Sequence, residues 1–321
     1  MVPIQQVWEA RRRIGTLVRK TSFRECPFLS EPSKGRVSLK METEQPTGAF
    51  KIRGAANKIL SLSDEEQARG VVAYSTGNHG LAVAYVASQL GIDAHICVSN
   101  RVPRAKAEAI RKFGGKLEIY GDSQDDAGRR ARELRDHEGL TVIEPFDDPH
   151  VIAGQGTIGL ELLEEAPDID TVFVPLSGGG LISGIALSVK ANNPNVRIVG
   201  LSMERGAVMH ESLKAGRPVE IAEVETLADS LLGGIGRDNR YTFAMVKQYV
   251  DETYLVSEAA IADGMKFLMK RHRIVAEGAA AIGVGALLHQ TVPATGKHAA
   301  VIVSGKNVDP AAYFKVVNDV S

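Results

Sequence analysis

Lys51 has neighbours that single it out for covalent chemistry. It lies in Thr47-Gly48-Ala49-Phe50-Lys51-Ile52-Arg53-Gly54-Ala55, flanked by apolar side chains with glycines just beyond. Most lysines are solvated surface groups. A lysine in partly apolar surroundings loses proton affinity, because desolvation disfavours its charge. The free amine is then a nucleophile able to form a Schiff base. Three further stretches supply partners for such chemistry. Ser75-Thr76-Gly77-Asn78-His79-Gly80 offers N–H, hydroxyl and amide donors that suit an anion such as a carboxylate. Ser177-Gly178-Gly179-Gly180-Leu181 follows the apolar run Val172-Phe173-Val174, and three glycines cost enough backbone entropy to imply close backbone approach to a ligand. At a helix start such a loop holds a phosphate. Ser304-Gly305-Lys306-Asn307 follows a buried-looking run at 299–303, where Ser304 can present a hydroxyl to a ring heteroatom.

Each stretch has a plainer reading taken singly: a surface lysine, a helix N-cap, a flexible turn, a strand-end turn. Taken together they describe a Schiff-base enzyme holding a phosphorylated cofactor. A second reading stays open. Gly178 and Gly180 occupy the first two positions of a dinucleotide fingerprint, with Ser183 in the third and Glu204 near the place of a ribose-binding acid. That would be a nicotinamide oxidoreductase. A binding protein without catalysis is a third.

The elements that must position these residues alternate. Short β-branched runs at 70–74, 94–98, 116–120, 141–144, 171–174, 197–200, 253–256 and 299–303 are separated by helical stretches such as 80–90, 106–113, 123–136 and 154–165. The alternation predicts an α/β protein with mostly parallel sheets covered by helices. Glycine follows several strands, at the end of a strand where ligands collect in open sheets. Residues 71–145 read as a small substrate-side domain, and 1–70 with 146–321 as a larger cofactor-holding domain.

Bulk properties exclude other classes. With 44% apolar and 24% charged residues, the 321-residue chain is an ordinary globular protein. A net charge of −1 leaves no footprint for nucleic acid. The run Arg11-Arg12-Arg13 reads as a solvated helix face. Cys26 and Cys97 are far apart, so neither a disulfide framework nor a zinc site is expected, and a reducing compartment fits. No apolar run reaches membrane-spanning length and the first residues carry no secretory pattern, so a soluble cytoplasmic protein is expected. The sequence ends soon after Asn307, so no appended regulatory domain is expected.

In order and spacing, the motifs resemble the fold-type II pyridoxal-phosphate enzymes, a tryptophan synthase beta-like fold of two open sheets, and within them the threonine dehydratase and serine racemase branch. Thr47 to Ala55 looks like the lysine motif, Ser75 to Gly80 the asparagine loop, and Ser177 to Leu181 the phosphate loop. Pro145-Phe146-Asp147-Asp148-Pro149, Gly154-Gln155-Gly156-Thr157 and Glu277-Gly278-Ala279 also look like family sequence. The resemblance implies pyridoxal 5'-phosphate as cofactor, an amino acid as substrate and a homodimer. It implies that Lys51 bonds the cofactor and removes the Cα proton. Phe50 and Asn78 would contact the ring, and Gly178, Gly179, Gly180 and Leu181 would hold the phosphate. Ser304 would meet the pyridine nitrogen, with Glu277 as a supporting group. Ser75, Thr76, Gly77 and His79 would line the substrate-carboxylate pocket. A neutral hydroxyl at the ring nitrogen favours β-elimination over transamination. The implied reaction is dehydration and deamination of a β-hydroxy-α-amino acid such as threonine or serine to a 2-oxo acid and ammonia.

Departures from the family pattern sharpen this. Relatives carry a glutamate, a backbone carbonyl and an aspartate as a divalent-metal site, where this chain has Ser202, Gly206 and Val208. A hard cation needs oxygen ligands, so no metal is expected there. Thr76 stands where racemases place a second base, which disfavours racemisation. Ala49 replaces a common serine, and Lys306 a common glycine. The stretch Leu227-Ala228-Asp229-Ser230 through Asn239-Arg240-Tyr241-Thr242-Phe243 resembles dehydratases of hydroxyectoine breakdown, a narrower alternative.

Overall fold

The computed structural model describes residues 1–33, 35–75, 77–102, 104–292 and 296–319. Among them are ten strands: β1 (Phe23–Glu25), β2 (Arg36–Met41), β3 (Val71–Tyr74), β4 (Ala94–Val98), β5 (Lys116–Ile119), β6 (Thr141–Val142), β7 (Thr171–Pro175), β8 (Arg197–Met203), β9 (Glu252–Val256) and β10 (His298–Val303). They form two sheets, ordered β1-β2-β10-β7-β8-β9 and β5-β4-β3-β6. Only β1 runs antiparallel to its neighbour. The expected fold of two open, mostly parallel sheets flanked by helices is the observed one.

Parallel sheets covered on both faces read as continuous apolar runs. β7 and β10 are buried at every position, with cores on both sides of the larger sheet. β1 is a short, largely exposed edge strand, and β2 departs from that pattern for the opposite reason. β2 buries Ser38 and Lys40 among its apolar residues, and Lys40, fully buried, reaches Glu161 at 2.8 Å and the Thr21 carbonyl at 2.7 Å. An apolar-run criterion passes over a strand whose charge is paired inside the protein.

The helix Ile4–Ile14 buries Val7, Ala10 and Ile14. Its basic run is only partly a solvated face: Arg11 pairs with Glu164, and Arg13 donates to Asn57 at 2.6 Å. Among the described residues, no helix is long and apolar enough to cross a membrane.

Register brings the motifs together. Met41 of β2 faces Val303 of β10, and Val301 faces Phe173 of β7. Glu42, Ser304 and the loop from Leu176 therefore leave neighbouring strands at one carboxyl edge. In the other sheet, Tyr74 ends β3 and leads into Ser75 to His79.

Candidate active site

Lys51 opens the helix Lys51–Ile59. The position of this helix is set by its own sequence. At Gly154 a Cβ would lie 2.4 Å from the Arg53 carbonyl and 2.7 Å from Gly54 Cα, so the helix crosses Pro149–Glu165 in backbone contact. Arg53, 1% exposed, then reaches Glu42 through Nε at 2.8 Å, Glu161 through Nη1 at 2.6 Å, and Thr157 at 3.0 Å. Burial opposes every charge in this group, yet the mutual pairing wins. The Arg53 pKa is pushed up against burial by Glu42 and Glu161, and the Glu42 pKa is pulled below its usual range by Arg53. Asn57 adds a bond to the His150 carbonyl at 2.7 Å, and Lys58 pairs with Asp148 at 2.9 Å.

The lysine amine donates to the Pro145 carbonyl at 2.6 Å and lies 5.4 Å from the Phe50 ring centroid. Burial lowers its pKa to about 8, while Glu277 opposes the fall. The segment after Pro145 is a junction. The Phe146 ring fills the space that side chains at Gly178 would need (2.5 Å), and its Cα and Cβ fill that at Gly180 (2.9 Å). Asp147 accepts from the N–H groups of Arg240, Tyr241 and Thr242 at 2.7–2.9 Å. Asp148 caps the helix Pro149–Glu165 through His150 and Val151.

Ser177 to Leu181 leads from β7 into the helix Gly180–Asn192. Gly179 is its N-cap with φ +88°, a left-handed conformation suited to glycine. A Cβ there would also meet Met209 at 2.9 Å. The glycines thus serve protein packing as well as any ligand, a reason the sequence did not disclose. The first N–H groups of this helix have no intrahelical acceptor, so with the helix dipole they suit an anion.

Asn78 begins the helix Asn78–Leu90, with Gly77 as N-cap. A Cβ on Gly77 would meet nothing within 4 Å, so this helix start borders open space. Ser75 Oγ accepts from Gly77 N at 3.2 Å. His79 is buried, and its Nε2 donates to the Ile143 carbonyl at 2.7 Å. Burial, with Lys51 adding to it, drives its pKa down to about 3, so the ring is neutral. Thr76 lies outside the described residues.

Asn78 donates to Glu277 at 2.9 and 3.2 Å. Glu277 is 2% exposed. Burial raises its carboxyl to about 7, with the Asn78 bond opposing and the Asp229 charge assisting. The Ser304 carbonyl accepts from Phe50 N at 3.0 Å, and Ala49 bridges Gly305, so the lysine loop is zipped to the end of β10. The structure therefore gathers Phe50, Lys51, Asn78, Glu277 and Ser304, with the glycine loop held to Pro145 through Phe146. Arg53, Glu42, Glu161, Pro145, Phe146 and Asn307 join them without having been singled out for a role. The signal available for Arg53 was a charge two residues from Lys51 inside a glycine- and alanine-rich helix.

At the positions compared with a divalent-metal site, Ser202 is buried and donates to the Leu176 carbonyl at 3.0 Å, Gly206 has φ +82°, and Val208 packs in the core. Without a carboxylate among them, the donor set does not fit a hard cation.

Fold and site define a class: an α/β enzyme that carries a phosphorylated cofactor on a lysine. Residues 14–305 match the family described as pyridoxal-phosphate dependent enzyme, and the chain belongs to that family. It is 42% identical to the L-threonine ammonia-lyase of Thermotoga maritima, over 99% of this chain and 79% of that one. It is 39% identical to the catabolic L-threonine dehydratase TdcB of Escherichia coli, over 96% of this chain and 94% of that one. Its fold matches maize serine racemase with a TM-score of 0.93 at 35% identity, covering 99% of this chain and 97% of that one. Membership decides for pyridoxal phosphate over the nicotinamide cofactor weighed above. The residues fit this group: an amine of lowered pKa for an aldehyde, a helix N-terminus behind packed glycines for a phosphate, and Ser304 and Asn78 as polar partners for a ring.

Proposed function

We propose that this chain deaminates a β-hydroxy-α-amino acid of the threonine or serine type to a 2-oxo acid and ammonia. The observation that carries this reading is the Lys51 amine, lowered in pKa and held beside Pro145 at the sheet edge shared by Ser304 and the glycine loop. The names of the two relatives, an L-threonine ammonia-lyase and an L-threonine dehydratase, and a similarity that spans nearly all of this chain support the substrate class.

When bound, pyridoxal phosphate supplies the electron sink for charge developing at Cα. Lys51 Nζ would hold the cofactor's aldehyde and, as a free amine, would take the Cα proton. Phe50 would flank the ring, and Asn78 Nδ2 would donate to its 3-oxygen with Glu277 behind it. The N–H groups from Gly178 to Leu181 would bind the phosphate. Ser304 Oγ would be a neutral partner for the ring nitrogen, an arrangement that favours loss of the β-hydroxyl over transamination. Ser75, Thr76 and Gly77 would orient the substrate carboxylate, while His79, a neutral ring whose one N–H is taken by the Ile143 carbonyl, would line that pocket without donating to it. Residues 71–145 form the substrate-side domain, and 1–70 with 146–321 the cofactor-holding domain. The enzyme acts as a cytoplasmic homodimer, which sedimentation at twice the chain mass and cell fractionation would test.

The decisive experiment is an ammonia-release screen over hydroxyamino acids, with borohydride reduction and peptide mass spectrometry of the holoenzyme. Cofactor fixed on Lys51 and ammonia from threonine or serine are expected, with Lys51→Ala losing both. Full turnover in Lys51→Ala, or cofactor fixed at another lysine, rejects the assignment. Chiral analysis of recovered serine separates elimination from racemisation, the reading favoured by the likeness to maize serine racemase. EDTA is expected to leave activity unchanged, because Ser202, Gly206 and Val208 offer no carboxylate.

A further inference from the structure

Asn307 closes a side-chain relay that runs into the site. Its Nδ2 carries two hydrogens and has two acceptors, the Thr47 carbonyl at 2.8 Å and Asn78 Oδ1 at 2.7 Å. Asn78 Nδ2 faces the opposite way, toward Glu277. The relay spans Thr47, Asn307, Asn78 and Glu277. Asn307 is itself held in place. Lys306 N donates to the Gly48 carbonyl at 2.9 Å, and a Cβ on Gly48 would lie 2.7 Å from Asn307 Oδ1.

This arrangement decides which end of the Asn78 amide meets which neighbour. If Asn78 turned by half a revolution, its NH2 would oppose the NH2 of Asn307 and its oxygen would oppose the Glu277 carboxylate. Both contacts would be lost and two like groups brought together in a poorly solvated place, where unpaired polar groups are costly.

We propose that Asn307 is a positioning residue that locks the Asn78 amide with its N–H groups turned toward Glu277 and the cofactor's 3-oxygen. The inference rests on the reading of Asn78 as a cofactor contact. With one Asn78 hydrogen shared between the two carboxylate oxygens, the other serves the ligand oxygen. Lys306 contributes through its backbone N–H, so the relay does not depend on the lysine side chain.

A double-mutant cycle on the dissociation constant of pyridoxal phosphate from the full chain tests this. Asn307→Ala is expected to raise the constant about tenfold, the worth of roughly one oriented hydrogen bond. Asn78→Ala should raise it at least as much, and Asn307→Ala placed on Asn78→Ala should add nothing. The absorbance band of the bound cofactor reports ionisation of its 3-oxygen, and both single variants should move it in the same direction. A role confined to holding the Thr47 loop would lower Tm, leave the band in place and add fully in the double variant, and that result overturns the proposal. Should Asn307→Ala not fold, Asn307→Asp keeps the shape but removes both donors, and the same outcomes apply. Borohydride fixation at Lys51 in wild type and variants keeps the two claims apart. Fixation with additive costs rejects the relay alone, whereas a wild type that is not fixed rejects the cofactor reading on which the relay rests.

Discussion

At Lys51 two opposing effects set the protonation of the amine. Burial drives its pKa down to about 8, and the nearby Glu277 carboxylate limits the fall. An ordinary lysine titrates near 10.4. Capture of pyridoxal phosphate by the apoprotein needs the free amine, so its rate should climb as pH rises through about 8 and then level off. Stopped-flow absorbance would measure this, and a rate still climbing at pH 10 would contradict the assigned environment. Glu277→Gln removes the charge that supports the ammonium, so the midpoint should fall below that of wild type. Glu277 has a thermodynamic signature of its own. Its folded pKa of about 7 lies above the ordinary 4.5. The folded apoprotein then binds an extra proton between those values, and stability is lost as pH rises through that window. Buried His79, whose folded pKa of about 3 lies below its ordinary value, contributes with the opposite sign over most of this range, so Glu277 is read as a difference: in denaturant titrations from pH 4.5 to 7, stability should rise more steeply with pH in Glu277→Gln than in wild type.

The helix Lys51–Ile59 is the element that delivers the amine, and it is fixed by one close crossing and one buried charge cluster. Gly154→Ala would drive a methyl into the Arg53 carbonyl and Gly54 Cα, both backbone and unable to swing aside. A cost of about 1–3 kcal/mol is expected, read as a lower urea midpoint, with weaker cofactor retention because Lys51 moves with its helix. Arg53→Leu would strand fully buried Glu42 without its ion-pair partner, while Glu161 would keep Lys40. Breaking a buried ion pair from one side costs about 3–5 kcal/mol. A change within 1 kcal/mol in the same urea experiment would show that the cluster does not hold the helix.

For the whole molecule, the cofactor site draws on the larger sheet through β2, β7 and β10 and on the smaller through β3. Ligand that binds only the folded chain should stabilise it by about 2.7 kcal/mol at a hundredfold excess over the dissociation constant, so Tm should rise with concentration. Lys51→Ala should shrink the rise if it removes the covalent anchor proposed above while leaving the proposed phosphate and ring contacts in place. Calorimetry over a pyridoxal phosphate series checks both. Another link between the units contributes little. Lys106, on the helix Arg104–Lys112, lies 3.6 Å from Asp229, and the Asp229 side chain is 58% exposed. Such pairs contribute about 0–1 kcal/mol, so Lys106→Ala should leave Tm nearly unchanged.

The sequence by itself determined the α/β class, the strand-to-helix rhythm and the motifs at 47–55, 75–80, 177–181 and 304–307. Those follow from local rules: apolar runs mark covered parallel strands, and glycine or a capping residue marks where a strand turns into a helix. Helix starts were less legible. The helix beginning at Pro149 was placed five residues late, although Asp148-Pro149 is an N-cap followed by a first-turn proline. β2 is hidden from an apolar-run reading because Lys40 is paired with Glu161, 121 positions away and invisible to any local pattern, and β1 because it is a three-residue, largely exposed strand at the sheet edge. Only the tertiary structure could bring Pro145 to Lys51, Phe146 under the glycine loop, Arg53 between two glutamates, and Asn307 against Asn78. Each depends on which strands lie side by side, and register between distant segments is settled by packing rather than by neighbours along the chain.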